Sequence, residues 1–383
     1  MLDSIVILGA ARTPMGAFQG EFASLSANDL GGAAIRAAVE RSGLAPEKVD
    51  EVLFGNCLMA GQGQAPARQA GFKGGLSAAT GAVTLSKMCG SGMAATLLAH
   101  DQLVAGSRDV MVAGGMESMT NAPYLLPKAR SGMRIGHDRV MDHMMLDGLE
   151  DAYEAGRSMG TFGEDCAAKY GFTRQAQDAF ATASVQRAQQ AIESGAFKAE
   201  IVPVSVKGRT GERVIGSDEA PGKVRLEKIA SLKPAFKKDG TITAASSSSI
   251  SDGAAALVLS RESTAHDLGA APIARILGHA TFAQAPEWFS TAPVGAVNRL
   301  LKKLGWQIID VDLWEINEAF AVVPMAAMKE LGIAHDIVNV NGGACALGHP
   351  IGCSGARIIV TLIYALKARG LKKGIATLCI GGG

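Results

Sequence analysis

Two stretches far apart in the chain share one rhythm of apolar and polar positions. AAIRAAVERSGLAPEKVDEVLFGN (33–56) and GAVNRLLKKLGWQIIDVDLWEINE (295–318) each read as an amphipathic helix ending at glycine (Gly43, Gly305), then a short turn, then a strand. Further on, Ser91-Gly92 and Ser354-Gly355 fall at matching positions, and each pair predicts a helix start before MAATLLAHDQLVAG and ARIIVTLIYALKARG. Each helix leads to a buried strand ending in glycines, DVMVAGG and GIATLCIGGG. Both helices are apolar on most faces, which predicts that both are sandwiched between layers. The offset drifts by one residue over roughly sixty positions, a pattern that favours a duplicated α/β unit over two unrelated βαβ units of similar period.

The stretch 120–249 breaks the rhythm. It holds RIGHDRVMDHMMLDG, a polar helix TRQAQDAFATASVQRAQQAIESG and basic loops. The expected organisation is a first half made of 1–119 and 250–270, an insertion at 120–249 carried by that half, and a second half at 271–383.

Composition narrows the class. Of the 383 residues, 48% are hydrophobic and 19% charged, enough apolar material for a large core. The net charge of +1 gives no electrostatic reason to expect nucleic acid or an anionic membrane as partner. Six cysteines (57, 89, 166, 345, 353, 379) contain no C-x-x-C pair, and MLDSIVILGAARTP opens as a strand without a basic leader. No apolar run is expected to reach the ~18 residues of a membrane span. A cytoplasmic protein with reduced thiols is the reading that follows.

Candidate chemistry gathers at the glycine-rich junctions. Cys89, directly before Gly-Ser-Gly, stands at a helix N-terminus, where free N–H groups and the helix dipole predict a lowered thiol pKa; a buried small hydrophobe is the alternative. His349 lies between glycine and proline in NVNGGACALGHPIGCSG, either as a proton-transfer group or as a core histidine. Cys379 is expected to close a buried strand. Asn317 and Glu318 follow a strand stub and aim at a cleft, unless Asn317 caps a helix. Cys345, His349 and Cys353 are spaced four apart, but Gly348, Pro350 and Gly352 are expected to forbid a regular helix, so no metal site is expected. No phosphate-binding G-x-x-x-x-G-K-[ST] occurs, GQGQAP (61–66) has proline where a dinucleotide loop needs glycine, and GCSGA fails the serine-hydrolase pattern.

Together CGSGM (89–93), GGMESM (114–119), NEAFA (317–321), NGGACALGHPIGCSGARI (341–358) and LCIGGG (378–383) resemble the thiolase family, in particular its acetyl-CoA acetyltransferase type, across essentially the whole chain. The resemblance implies an α/β fold of five layers, α-β-α-β-α, built from two duplicated halves with an inserted loop domain. It implies that Cys89 carries the acyl group, that His349 takes its proton, and that Cys379 deprotonates the attacking acetyl-CoA or protonates the leaving enolate. His349, with Asn317 acting through a water, resembles one oxyanion site; the N–H groups of Cys89 and Gly381 resemble the second. Leu149, Met159, Phe236, Ala244, Ser248, Ala319 and Phe320 stand where the family lines its pantetheine tunnel. Residues 198–240 carry ten Lys/Arg against six Asp/Glu, suited to the nucleotide end of coenzyme A.

The implied activity is the reversible condensation of two acetyl-CoA to acetoacetyl-CoA and CoA with ping-pong kinetics. A longer-chain 3-ketoacyl-CoA thiolase, or a non-catalytic acyl-CoA-binding protein on the same fold, are the other readings. Coenzyme A and acyl-CoA are implied as substrates, with no cofactor. LLPKARSGMRIGHDRVMDHMMLDG resembles the segment that ties dimers into homotetramers, and its lack of period predicts order only against a partner; a lid over the acyl site is the alternative. The chain departs from the family at Ser246, where asparagine is usual, and at Ser158, where some members have histidine. After Gly383 the family continues through one more strand, so a tail beyond this sequence or a shortened form is expected.

Overall fold

The computed structural model describes residues 3–208 and 211–383. Ser26 and Asp29 cap one another to start the helix Ala27–Ser42, which ends at Gly43 with φ +72°. In the second half Ala292–Leu304 ends the same way at Gly305, φ +66°. Each helix runs through a single 3₁₀ turn, Pro46–Lys48 or Ile308–Asp310, into a strand, Glu51–Gly55 or Leu313–Ile316. Those strands pair in parallel with Val110–Ser118 and Gly374–Thr377 respectively. The repeat seen in the sequence is thus a repeat in space.

The first sheet runs Ala274–Ile276, Ile5–Arg12, Ser251–Arg261, Val110–Ser118, Glu51–Gly55, Gly81–Leu85. Its first three junctions are antiparallel and its last two parallel. The Ala274–Ile276 strand, allotted by the duplication to the second half, therefore bonds to the first sheet through Ile5–Ile7. Helices Ala27–Ser42 and Pro66–Lys73 cover the outer face of this sheet. Two central helices, Ser91–Val104 and Ile351–Arg369, cover its inner face. The second central helix also packs on Leu313–Ile316 and Gly374–Thr377, and Ala292–Leu304 with Val322–Leu331 closes the far side. These are the five layers. Strands covered on both faces must be apolar along their whole length, and Ser251–Arg261 and Val110–Ser118 are buried almost throughout.

Where the central helices cross, small residues let backbones touch. A Cβ added at Gly355 would lie 2.5 Å from Met93 N, and one at Gly92 would lie 2.8 Å from Ala356 N. One at Gly115 would lie 2.0 Å from the carbonyl oxygen of Gly352. The paired Ser-Gly dipeptides of the repeat are the two sides of this crossing.

Three expectations change here. The second central helix starts at Ile351, not after Ser354, so Gly352 lies inside it. Pro350 takes the cap position, and the free N–H of Gly352 finds the Glu117 carboxylate at 2.9 Å, so glycine costs little there. This helix of 19 residues, with mean hydropathy 1.4, is long and apolar enough to cross a membrane; yet 72% of its apolar window is buried inside the protein, where a core helix between two sheets needs that composition. The first central helix is not fully sandwiched: it packs on the first sheet and the second central helix but leaves Leu98 and Val104 half exposed.

The stretch 120–249 enters after Val110–Ser118 and returns to that strand's antiparallel neighbour Ser251–Arg261. It carries the helices Met159–Tyr170 and Arg174–Glu193 and two small hairpins. Arg12 anchors it from beneath: fully buried, it pairs with Glu200 at 2.5 Å and binds both oxygens of Asp218, at 2.7 and 2.9 Å.

Candidate active site

The turn before the first central helix is bent hard. Met88 adopts φ +48°, a left-handed conformation uncommon for a side chain of its size. Ser91 holds it there: its Oγ accepts from Lys87 N at 2.8 Å and donates to the Met88 carbonyl at 2.7 Å. Cys89 is thereby turned inward, half buried against the cluster of Cys57, Leu58, Met119, Met144 and Ile351, with Leu149 beside it. The Gly381 N–H and its own N–H both point at the thiol. Even so, burial pushes the Cys89 thiol up to about 11, and the Glu117 carboxylate adds to the rise. The sequence reading expected a lowered pKa; here desolvation outweighs the two N–H groups, and the direction is upward. Cys89 rests as a thiol.

His349 is buried between Gly348, φ +101°, and Pro350. Its own N–H donates to the Ser249 carbonyl at 3.1 Å. Its Nδ1 lies 2.5 Å from Ser354 Oγ, and Ser354 Oγ also lies 3.0 Å from the Pro350 carbonyl. The Nε2 atom is buried with no partner among the described residues. Burial, then the nearby Arg357 charge, hold the imidazole down at about 3, so it is neutral over the physiological range.

Cys379 is fully buried, and burial followed by the proximity of Cys89 drives its thiol well above the ordinary range. It does not close a strand as expected. Pairing stops at Ile316 with Thr377, and the chain then turns towards Cys89, with Ile380 against Gly90 and Gly381 at the Cys89 thiol. Leaving the ladder is what allows Cys379 and Gly381 to reach Cys89.

Asn317 donates its backbone N–H to Thr377 O at 3.0 Å, while its side-chain Oδ1 and Nδ2 are buried with no partner among the described residues. It caps no helix; its amide is free for a ligand. Glu318 instead braces the loop, accepting from Ser184 Oγ and Asn339 Nδ2, both at 2.7 Å, and from Cys345 N at 3.0 Å. Cys345 and Cys353 sit in separate apolar clusters, with His349 in neither.

Most of the expected tunnel residues converge. Phe320 and Ala319 are buried, Phe236 meets Phe320 edge to face at 5.7 Å, and Ser248 bonds twice to the Ala319 carbonyl at 3.0 Å. Gly160 sits directly against the Phe236 ring, and the Met159 methyl lies at the position a Cβ on Gly381 would contact, 3.5 Å away. A continuous apolar wall therefore runs from Gly381 to the aromatic pair. Leu149 joins the Cys89 cluster instead, and Ala244 is exposed on the adjoining loop. Ser246 accepts from Thr243 N at 2.9 Å and its carbonyl accepts from Ala321 N at 2.8 Å, so a serine keeps this loop tied beneath Ala319 and Phe320. Ser158 caps the helix that begins at Met159. In the basic stretch, Arg213 pairs with Glu21 and Lys223 with Glu219, while Arg209 and Thr210 lie outside the described residues.

Sequence reasoning missed two residues. Glu117 is a fully buried carboxylate that accepts from Asn56 Nδ2 at 2.5 Å and from the N–H groups of Cys57, Leu58 and Gly352 at 3.0, 3.1 and 2.9 Å. It ties the loop beneath Cys89 to the start of the helix behind His349. A lone acid inside the apolar run VAGGMESM was the available signal. Ser354, seen only as half of a Ser-Gly pair, is the partner of His349. A groove of about 660 Å³ lies elsewhere, between Leu277–Ala283 and the strand Gly374–Thr377, and none of Cys89, His349 or Cys379 lines it.

The family model "Thiolase, N-terminal domain" matches residues 5–263 and "Thiolase, C-terminal domain" matches 270–383. The chain is 48% identical to the acetyl-CoA acetyltransferase of Pseudomonas aeruginosa over 100% of its own length and 98% of the relative's. It is 46% identical to that of Allochromatium vinosum with the same coverage. The crystal structure of the Bacillus anthracis acetyl-CoA acetyltransferase superposes with a TM-score of 0.97 at 42% identity, covering 100% of this chain and 97% of that one.

Proposed function

The chain belongs to the thiolase family, and from that membership we propose that it is an acetyl-CoA acetyltransferase interconverting acetoacetyl-CoA plus CoA with two acetyl-CoA through an acetyl group carried on Cys89. The observation that carries the reading is the meeting of the Cys89 thiol with the Gly381 N–H, beside a second buried thiol, Cys379, in a site whose imidazole is neutral.

In cleavage, Cys89 sulfur attacks the 3-keto carbon while its proton passes to His349 Nε2. The N–H groups of Cys89 and Gly381 stabilise the oxyanion, preorganised donors being worth ~3–4 kcal/mol each. The C–C bond breaks, its electron pair becomes the enolate of acetyl-CoA, and the Cys379 S–H protonates the enolate carbon. The Asn317 amide, buried without a protein partner, and the newly formed Nε2–H serve the enolate oxygen. Incoming CoA gives its proton to the Cys379 thiolate and takes the acetyl group, and Cys89 recovers its proton from His349. The neutral resting pair suits this sequence, because the thiolate forms only when a substrate carbonyl is there to receive it. The wall from Gly381 to Phe236 and Phe320 takes the pantetheine arm.

Absorbance of acetoacetyl-CoA during incubation with CoA tests the activity, run in parallel with a C8 3-ketoacyl-CoA. Faster turnover of the C8 substrate would replace the acetoacetyl reading with the longer-chain one, and CoA binding without turnover would overturn catalysis altogether. Assembly as a dimer of dimers is part of the same proposal. Support comes from the edge strand Gly81–Leu85 with exposed Val83, from Leu98 on the adjacent helix, and from exposed Tyr124, Ile135 and Val140 in the insertion. Light scattering that reports a monomer at micromolar concentration would reject it.

A further inference from the structure

We propose that Ser354 is the positioning residue that fixes His349 in the tautomer with hydrogen on Nδ1, so that one nitrogen, Nε2, serves first as base and then as hydrogen-bond donor. The inference rests on the nucleophile and base roles given above.

Ser354 has one hydroxyl hydrogen. It lies on the first turns of the helix Ile351–Arg369, and its Oγ is 3.0 Å from the carbonyl of Pro350, four residues back, the usual acceptor for a serine inside a helix. With the hydrogen committed there, Oγ can only accept from Nδ1, 2.5 Å away, so Nδ1 carries the hydrogen. A neutral imidazole has one N–H, which leaves Nε2 with a lone pair, and Nε2 is the ring atom that lacks a protein partner among the described residues. Pro350 contributes twice: it supplies the carbonyl that orients the hydroxyl, and its fixed φ starts the helix on which Ser354 stands.

The same bond holds through the reaction. When Nε2 takes the Cys89 proton the ring becomes an imidazolium with both nitrogens protonated. Nδ1–H still donates to Ser354 Oγ, and Nε2–H is now a donor for the enolate oxygen. When Cys89 leaves the acyl group, Nε2 returns that proton and the resting tautomer is restored. No proton leaves Nδ1 at any stage, which suits a nitrogen buried against a helix. Without Ser354 the ring is free to carry its hydrogen on Nε2, a form that cannot deprotonate Cys89.

Ser354→Ala and Ser354→Thr test this, because threonine keeps the hydroxyl and its bond to the carbonyl four residues back. Single-turnover acetylation of Cys89 by acetyl-CoA is expected to slow ~10–100-fold in Ser354→Ala, by analogy with metal-bound histidines that lose an orienting partner. KM is expected to stay near wild type, and Ser354→Thr to recover most of the loss. Alkylation of Cys89 by iodoacetamide, which needs no acyl-CoA, gives a second readout. The deficit of Ser354→Ala is expected to be large at pH 7 and to shrink at pH 10, where hydroxide removes the proton unaided. A deficit equal at both pH values, or a Ser354→Ala enzyme acetylated at more than half the wild-type rate, overturns the proposal. The wild-type protein provides a check free of any variant. The ¹⁵N spectrum of histidine-labelled protein, assigned by comparison with His349→Gln, is expected to show protonated Nδ1 and bare Nε2; the reverse tautomer refutes the inference. A chain whose Cys89 alkylation and His349 tautomer are as described yet which transfers no acetyl group would sink the thiolase reading and leave the assignment of Ser354 as the residue that fixes the His349 tautomer standing.

Discussion

Replacing Gly355 by alanine asks whether the crossing of the two central helices is as tight as its glycines imply. The new Cβ would sit 2.5 Å from Met93 N and 2.8 Å from Met93 Cβ. Ordinary contact begins at 3.4 Å, so the backbones must part by roughly 0.6–0.9 Å, and main-chain atoms cannot swing aside as a side-chain end can. Overpacking of this kind costs ~1–3 kcal/mol, and the upper part of the range applies when backbone opposes backbone. Alanine's better helix propensity returns ~1 kcal/mol. The net expectation is ~1–2 kcal/mol of destabilisation. Gly71→Ala, in the helix Pro66–Lys73, is the matched control: its Cβ would meet Leu76 Cδ1 at 3.6 Å and Val52 Cγ2 at 3.7 Å, both ordinary contacts, so propensity acts alone and stability rises by ~0.5–1 kcal/mol. Urea denaturation followed by far-UV circular dichroism should move the two midpoints in opposite directions. Gly355→Ala should also lose activity, since it displaces the neighbour of Ser354. A Gly355→Ala midpoint at or above wild type would refute the packing argument.

The pH profile carries a second expectation. His349 is held at about 3 against an ordinary 6.5, so the native state binds fewer protons than the unfolded chain between those values. Its contribution to stability is full above pH 6.5 and is lost as pH falls towards 3, while kcat/KM should show no acid limb near 6.5; a limb at 6.5 that His349 variants abolish would contradict this. Arg12→Met would leave Glu200 and Asp218 buried without their cation and should cost ~3–5 kcal/mol. Urea midpoints within error of wild type would reject that assignment, and adding Glu200→Gln and Asp218→Asn should recover much of the loss. Iodoacetamide should label Cys89 well before Cys353, whose burial drives its thiol to about 12. Equal labelling of the two would mean that the wrong helix start has been taken as reactive.

The repeat was legible because it is written in what a one-residue slip would destroy: apolar periodicity, the terminal glycines Gly43 and Gly305, and the two Ser-Gly pairs. The candidate site residues stood out because glycine, proline and cysteine at a turn leave few alternatives. What escaped depends on quantities a linear pattern does not hold. The Cys89 thiol rises instead of falling, because desolvation is set by Leu58, Met119, Met144 and Ile351, which are scattered along the chain. Glu117 stood unremarked inside an apolar strand because its donors arrive from residues 56–58 and 352. Ser354 was read only as half of a helix-opening Ser-Gly pair, while its hydroxyl faces the histidine five residues earlier. Cys379 was placed on a strand because the apolar run continues past Thr377, although the hydrogen-bond ladder does not.

The proposed reaction stands on Cys89 carrying the acetyl group. Mixing the protein with acetyl-CoA and quenching in acid, followed by intact mass measurement and peptide mapping, addresses it directly. The expected result is the added mass of one acetyl group per chain, confined to the peptide containing Cys89, absent in Cys89→Ala and discharged when CoA is added. Acetyl on Cys379 or Cys353 instead, or an unmodified chain that nonetheless cleaves acetoacetyl-CoA, would contradict it.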